Sequence, residues 1–250
     1  LAVDHKLTLP ADDDEPVSRQ ERYPELVGCL MYLMTCTRPD LAHALSVLGR
    51  FVAKGRHGST HWHAALRVLG YVKQTADLKL TLGGEQSILE GYTDASWADD
   101  KLDRRSSQGH CFTLGRGMIS WRANKSPSVA LSTCEAELYA GTSAAQELLW
   151  LKRMLKELGV STSCPIMWCD NKSTIALTKD PVYSARSKHI EARYHFLREL
   201  TGEGEQVAEH IPTKDNISDI FTKPLLRERH WKLLTLLGLS STVPPSGGVL

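Results

Sequence analysis

Near Leu78 the hydrophobic period of this 250-residue chain changes, and that change limits the folds open to it. Before it, apolar residues recur at spacings of three and four: Leu26, Leu30, Leu33 and Met34, then Leu41, Ala44, Leu45, Leu48 and Val52, then Ala65, Leu69 and Val72. Each set is one buried face of a helix. Tyr23 to Val72 is therefore expected to be a bundle of three helices, with Pro39 in the first turn of the second and a loop at Gly55 to Ser59. After Leu78 alternation takes over. Leu78, Leu80 and Leu82 alternate with Lys79 and Thr81, and Gly83-Gly84 ends the run. Ile88 to Asp94 reads as the next strand. His110 to Leu114 and Met118 to Arg122 flank Gly115-Arg116-Gly117 as a hairpin.

Ser132-Thr133-Cys134-Glu135 is a capping box. The helix it opens carries Ala144, Leu148, Leu151, Leu155 and Leu158 in one stripe and stops near Gly159. A strand at Ile166 to Cys169 follows, then helices near Ser173 to Thr178 and Ser187 to Leu200, a strand at Val207 to Ile211, and helices from about Asn216 and Arg227. Helices between the later strands imply crossovers that lay those strands beside the first. The expected fold class is α/β, a mixed five-stranded sheet flanked by helices and preceded by a small helical domain. The expected division is an acidic linker over 1–20, a helical region over 21–84, the sheet domain over 85–226, and a C-terminal helix and tail over 227–250.

Apolar residues make up 42% and charged residues 24%, as in ordinary globular proteins. The formal net charge is +1, so any affinity for nucleic acid must come from local patches. The six cysteines include no C-x-x-C pair, which predicts reduced thiols in an intracellular setting. His57, His61 and His63 cluster without the further ligands that zinc needs. No run reaches the ~18 apolar residues of a membrane helix. No signal-peptide order precedes the chain body, and a start at Leu1 suggests a piece of something longer.

Asp94, Glu137, Asp170 and Asp219 each stand where an acid can serve a metal. Asp94 and Asp170 end strands, while Glu137 and Asp219 lie near helix starts, and such ends can converge on one pocket. Acids brought together repel unless a cation neutralises them, and this order of acids points to a two-metal phosphodiesterase. The bland alternative for Asp94 and Asp170 is a turn or helix cap. Glu135 suits the cap, and Glu137, about 200° further round the helix, faces elsewhere. Asp215, in the turn-like Thr213-Lys214-Asp215-Asn216, competes with Asp219 for the last position. His210 reads either as a mobile base or product-release residue, or as a surface histidine on the last strand.

Two basic stretches flank these acids. Lys101 to Val129 holds six Lys or Arg (101, 104, 105, 116, 122 and 125) against Asp103. Arg186 to Arg198 holds four (186, 188, 193 and 198) against Glu191, with His189 and His195. Such runs can be solvated faces. Beside an acidic site they suit a phosphate backbone, which makes Arg104, Arg105, Arg122, Lys125, Asn171, Arg186, Lys188, His189 and Arg193 the candidate nucleic-acid contacts. Tyr92, Trp97 and Trp121 are candidates for packing on sugars, with core burial expected for at least two of them.

Several long motifs carry a likeness: Tyr92-Thr93-Asp94-Ala95-Ser96-Trp97-Ala98, Asp103-Arg104-Arg105-Ser106, Ile119-Ser120-Trp121, Glu135-Ala136-Glu137-Leu138, Cys169-Asp170-Asn171, Lys188-His189-Ile190 and Asp219-Ile220-Phe221-Thr222-Lys223-Pro224-Leu225. They resemble the ribonuclease H domain of copia-type retrotransposon Pol polyproteins. Thr37-Arg38-Pro39-Asp40 and His61-Trp62 to Tyr71 resemble the end of the reverse transcriptase region, a thumb-like or connection element. The resemblance implies a ribonuclease H-like fold, Asp94, Glu137, Asp170 and Asp219 as ligands of two Mg²⁺ ions (Mn²⁺ as substitute), and cleavage of the RNA strand of an RNA–DNA hybrid. It implies the rest of the polyprotein as partner. Gln108-Gly109-His110, Leu138 and Ser184 depart from the family's common residues without removing a ligand. The polymerase Asp-Asp signature is absent, so polymerisation by this chain alone is not expected. A catalytically silent or host-recruited binding fragment is the alternative.

Overall fold

The computed structural model describes residues 7, 8, 10, 22–53, 57–84, 88–179 and 188–241, with only the backbone described at 177, 179 and 188–191. The expected acidic linker and the end of the tail lie almost wholly outside these residues. The chain divides into two compact units, one of Leu1–Thr81 with Pro224–Leu250 and one of Leu82–Lys223.

In the first unit, helices α1 (Tyr23–Cys36), α2 (Ala42–Leu48) and α3 (Ser59–Gln74) close on a core of Tyr23, Val27, Leu30, Leu41, Leu45, Leu48, Phe51, Ala65 and Val68. Pro39 opens a 3₁₀ turn, Pro39–Leu41, that leads into α2. The inward stripe of α3 is His61, Ala64, Ala65 and Val68, while Leu69 is 41% exposed. Of the expected stripe, Ala65 lies in this core and Val72 packs against it, while Leu69 turns outward and His61, Ala64 and Val68 complete the inward face. His57 stacks on Tyr23 with ring centroids 4.5 Å apart, and His61 tilts against Phe51 at 4.3 Å. Those histidines pack in the core.

A buried polar network ties this unit together. The Arg38 guanidinium donates to both oxygens of Asp40, at 3.0 and 2.8 Å, and to Thr75. The Tyr71 hydroxyl donates to Asp40 at 2.8 Å and lies 3.0 Å from His230 Nε2 on the C-terminal helix α8 (Arg227–Leu236). The run at Leu78 to Leu82 yields only the two-residue strand β1 (Lys79–Leu80), paired antiparallel with β7 (Leu239–Ser240). The segment after Lys223 thus joins the N-terminal helices, where the sequence suggested a separate tail.

The second unit holds β2 (Leu89–Ser96), β3 (Ser107–Leu114), β4 (Gly117–Lys125), β5 (Ile166–Cys169) and β6 (Val207–His210). They form one mixed sheet in the order β4-β3-β2-β5-β6. The first three pair antiparallel, and β5 and β6 run parallel to β2. Helix α4 (Thr133–Glu157) links β4 to β5, and α5 (Lys172–Lys179) and α6 (Lys188–Gly202) link β5 to β6, giving the two crossovers expected. Ala144, Leu148, Leu151 and Leu155 of α4 pack on Leu89, Phe112 and Met167 of the sheet. Burial of each such large side chain stabilises by about 1.5–3 kcal/mol. Gly91 permits that approach, since a Cβ there would stand 2.4 Å from Met167 Sδ and 2.6 Å from Phe112 Cε1. A short helix, α7 (Asp219–Thr222), lies against β2, β3 and β4.

Candidate active site

Asp94 comes from β2, Asp170 follows β5, and Asp219 begins α7. One ligand oxygen of each lies within 4.8 Å of the others. Glu137, in the second turn of α4, lies with Asp170 and Cys169 in a second such group. The structure thus gathers all four sequence candidates. Asp215 lies on a 3₁₀ turn, Thr213–Asp215, outside both groups.

Local contacts explain the placement. Ser132 Oγ accepts from Glu135 N at 3.1 Å, the cap expected. Glu135 reaches back one residue further than a standard box, to Leu131 N at 2.7 Å, and its other oxygen accepts the Tyr139 hydroxyl. Glu137 faces β2 instead, where its Oε1 accepts Ala95 N at 3.2 Å. Asn216 is fully buried and pins the approach to α7: its Nδ2 donates to Thr93 O at 3.0 Å and its Oδ1 accepts from Ser218. Gly109, cross-strand from Asp94, lets α7 sit close; a Cβ there would be 2.5 Å from Phe221 Cβ.

Thr222 donates its hydroxyl to Asp94, and Lys223 Nζ lies 2.5 Å from Asp219 Oδ1 and 3.7 Å from Asp94 Oδ2. Reasoning from sequence missed Asn216, Thr222 and Lys223. Only Lys223 had a readable signal, a lysine four residues after an acid on a helix.

Burial pushes the Asp94 carboxyl up from 3.8 to about 6, with Lys223 and Thr222 pulling it back and Asp219 and Asp170 adding to the rise. Burial, then Asp94 and Asp170, hold Glu137 well above its ordinary value. Burial alone would lower the Lys223 ammonium; Asp94 and Asp219 outweigh it and keep it above 10.5. Such a pocket favours positive charge.

The remaining candidates are scattered more widely. Arg104, Arg105 and Arg122 are exposed, and Arg104 has a left-handed backbone (φ 58°). Lys125 Nζ lies 2.6 Å from Asp100 and 2.9 Å from Asp103, so that basic stretch is partly neutralised from within. Asn171 Oδ1 accepts Thr174 N and caps α5. The Arg193 guanidinium lies 4.3 Å above the Tyr139 ring. Arg186 and the side chains of Lys188 and His189 fall outside the described residues. His210 is exposed at the end of β6, in register with Cys169. Of the aromatic candidates, Tyr92 and Trp121 are half-buried and Trp97 is 48% exposed, so the expected core burial does not occur.

A mixed five-stranded sheet in this order, flanked by helices, is a ribonuclease H-like fold, and the acids gather at the ends of its elements. No protein-family model matches the chain. The chain is 42% identical over 219 residues to the retrovirus-related Pol polyprotein from transposon TNT 1-94 of Nicotiana tabacum, covering 88% of this chain and 16% of that one. It belongs to the Pol polyproteins of copia-type retrotransposons. The Pol polyprotein from transposon RE2 of Arabidopsis thaliana is 36% identical over 254 residues, covering 100% of this chain and 17% of that one. The chain spans about a sixth of the length of these two relatives, by those shares of 16% and 17%. Secreted RxLR effector protein 161 of Plasmopara viticola is 46% identical over 131 residues, covering 52% of this chain and 90% of that one. Among solved structures, LC11-RNase H1 in complex with an RNA/DNA hybrid is similar at 16% identity and a TM-score of 0.42, covering 54% of this chain and 93% of that one.

Proposed function

We propose that the chain is a divalent-metal-dependent endoribonuclease that cuts the RNA strand of RNA–DNA hybrids during retrotransposon reverse transcription. The observation that carries this reading is the acid cluster: oxygens of Asp94, Asp170 and Asp219 within 4.8 Å, beside a buried Glu137 Oε2 that has no hydrogen-bond partner among the described residues. An orphaned buried carboxylate oxygen is costly unless a cation meets it, and an all-oxygen set suits Mg²⁺, with Mn²⁺ as substitute. Two such ions, held by Asp94, Glu137, Asp170 and Asp219, would supply nucleophile activation and neutralise the leaving 3′ oxygen.

The chain's own residues prepare that chemistry. Asn216 and Thr222 fix α7 and Asp94 before substrate arrives. Lys223 offsets the carboxylate charge. Arg193, lying on Tyr139, offers a guanidinium to a backbone phosphate, with Arg104, Arg105 and Arg122 as further contacts. Hybrid selectivity would come from contacts to 2′-hydroxyls, which DNA lacks. His210, exposed at the end of β6, would carry a proton or speed product release. The rest of the polyprotein is the proposed partner, in a cytoplasmic particle or the nucleus. Among the described residues no helix is long and apolar enough to cross a membrane, and all six cysteines are free.

The test is a labelled hybrid incubated with the whole chain in Mg²⁺ or Mn²⁺, beside Asp170→Asn. Cleavage of the RNA strand by the wild type, reduced at least about 100-fold in the variant, is expected from loss of a ligand. An intact hybrid in both samples ends the proposal. A second reading, a binding fragment without catalysis, is favoured by the effector that matches 52% of this chain. Salt-sensitive hybrid binding with no cleavage would select it.

A further inference from the structure

One thiol stands inside the acid cluster. Cys169 ends β5, and its ligand atom lies within 4.8 Å of oxygens of Glu137 and Asp170. Met167 and Cys169 share the buried face of β5 by strand alternation, so the thiol is held in place by the sheet. Asn171 N donates to its sulfur at 3.4 Å, which fixes it further. Glu137 is 6% exposed, and while Oε1 accepts Ala95 N, the buried Oε2 lacks a hydrogen-bond partner among the described residues. The other cysteines stand elsewhere: Cys29, Cys36 and Cys164 are exposed, Cys111 is buried on β3, and Cys134 faces Thr174 at 3.6 Å.

Hard ions such as Mg²⁺ take oxygens and leave a thiol alone, whereas soft ions prefer sulfur. Around zinc, bonds of about 2.3 Å to sulfur and 2.0–2.2 Å to oxygen set neighbouring ligands about 3.6 Å apart. From separations within 4.8 Å, that asks for a contraction of about 1 Å. Three protein ligands with one open position is a familiar zinc arrangement.

We infer that thiophilic divalent ions, Zn²⁺ and Cd²⁺, bind Glu137, Cys169 and Asp170 in a mode distinct from the oxygen-only mode. As the sulfur–metal bond forms, the thiol proton passes to buffer, and nothing is oxidised or reduced. Where the nuclease reading also holds, this mode withdraws Glu137 and Asp170 from hard ions and stops hydrolysis. The binding itself does not depend on that reading.

The experiment uses the whole metal-free chain with the exposed Cys29, Cys36 and Cys164 changed to serine. Cd²⁺ is titrated while thiolate-to-cadmium charge-transfer absorption is followed in the ultraviolet. One equivalent should saturate the band. Cys169→Ser should abolish it and weaken Cd²⁺ binding at least about tenfold, while Mn²⁺ affinity, read by electron paramagnetic resonance, changes less than about threefold. Glu137→Gln should weaken both ions. Cys169→Ala, checked by circular dichroism, covers a serine variant that fails to fold. A band that survives both Cys169 variants, or vanishes only with Cys134→Ser, overturns the inference. No substrate is present, so a failed hybrid-cleavage assay leaves this result readable.

Discussion

Replacing Lys223 with glutamine should destabilise the chain only when no divalent ion is bound. Its ammonium lies 2.5 Å from Asp219 and 3.7 Å from Asp94. At an effective dielectric of about 20, those pairs attract by roughly 7 and roughly 4–5 kcal/mol before any cost is counted. Desolvation of the ammonium cancels much of this. The side chain is also 35% exposed, so solvent screens part of the remainder. Glutamine further lets a carboxylate take up a proton, which caps the loss. The net cost is about 2–3 kcal/mol, a fall in melting temperature of about 5–10 °C for a chain of this size. A bound cation does the lysine's electrostatic task, and binding to the folded state adds stability by linkage. Saturating Mg²⁺ should therefore shrink the difference below about 1 kcal/mol. Calorimetric melts of both proteins in chelator and in Mg²⁺ measure it. Equal melting in chelator, or a gap that Mg²⁺ leaves untouched, would refute the assignment of Lys223 as internal counter-cation.

The raised Asp94 carboxyl gives a pH signature. Folded Asp94 holds its proton up to about 6, against 3.8 ordinarily, so over that window the folded state binds the extra proton and stability falls as pH rises. Buried His110, lowered to about 4, slopes the other way, so the quantity to measure is the difference between wild type and Asp94→Asn. In chelator the advantage of the asparagine variant should grow from about pH 4 to about pH 6, and Mg²⁺ should reverse it; a flat difference in urea titrations would sink the idea. Gly109→Ala places a Cβ 2.5 Å from Phe221 Cβ, so α7 must shift; a loss of about 1–3 kcal/mol and of hybrid cleavage is expected, and wild-type melting would contradict it. His210→Ala should slow turnover about tenfold or more without weakening hybrid binding, and unchanged turnover would return it to an ordinary surface residue.

The sequence exposed what depends on local pattern. Strand alternation and the Ser132 cap were local, so the five strands of the mixed sheet and α4 followed. The rotation between Glu135 and Glu137 points the two apart, and the contacts agree: Glu135 closes the cap while Glu137 faces β2. Contacts between distant segments left no such trace. Asn216 reaches Thr93 across 123 residues, and Thr222 reaches Asp94 across 128. No period or spacing connects those positions. Gly109 gave no warning either, because its reason is a helix that arrives much later in the chain. The basic stretch misled through its boundary: counting from Lys101 omitted Asp100, which pairs with Lys125. On α3 the pattern found Ala65 and Val72 but took in exposed Leu69 and passed over His61, a polar residue in a core position that hydrophobic periodicity cannot register.

These contacts explain how mutually repelling acids stay together in a folded chain. Glu137 is held by a backbone N–H, Asp94 by a hydroxyl, and Asp219 by the helix that Asn216 anchors and by Lys223. Each is a short, directional contact supplied by the protein, so the pocket's shape does not depend on a bound ion. Its charge does. Lysine offers a single positive charge where several carboxylates converge, and burial first, then the neighbouring carboxylates, push Asp94 and Glu137 upward. A divalent cation would therefore correct electrostatics in a pocket already shaped, and its uptake should release protons while moving the backbone little. Isothermal titration of Mn²⁺ in buffers of different ionisation enthalpy counts those protons. A result near zero at pH 5.5, inside the window set by Asp94, would mean that the acids enter the folded state already ionised.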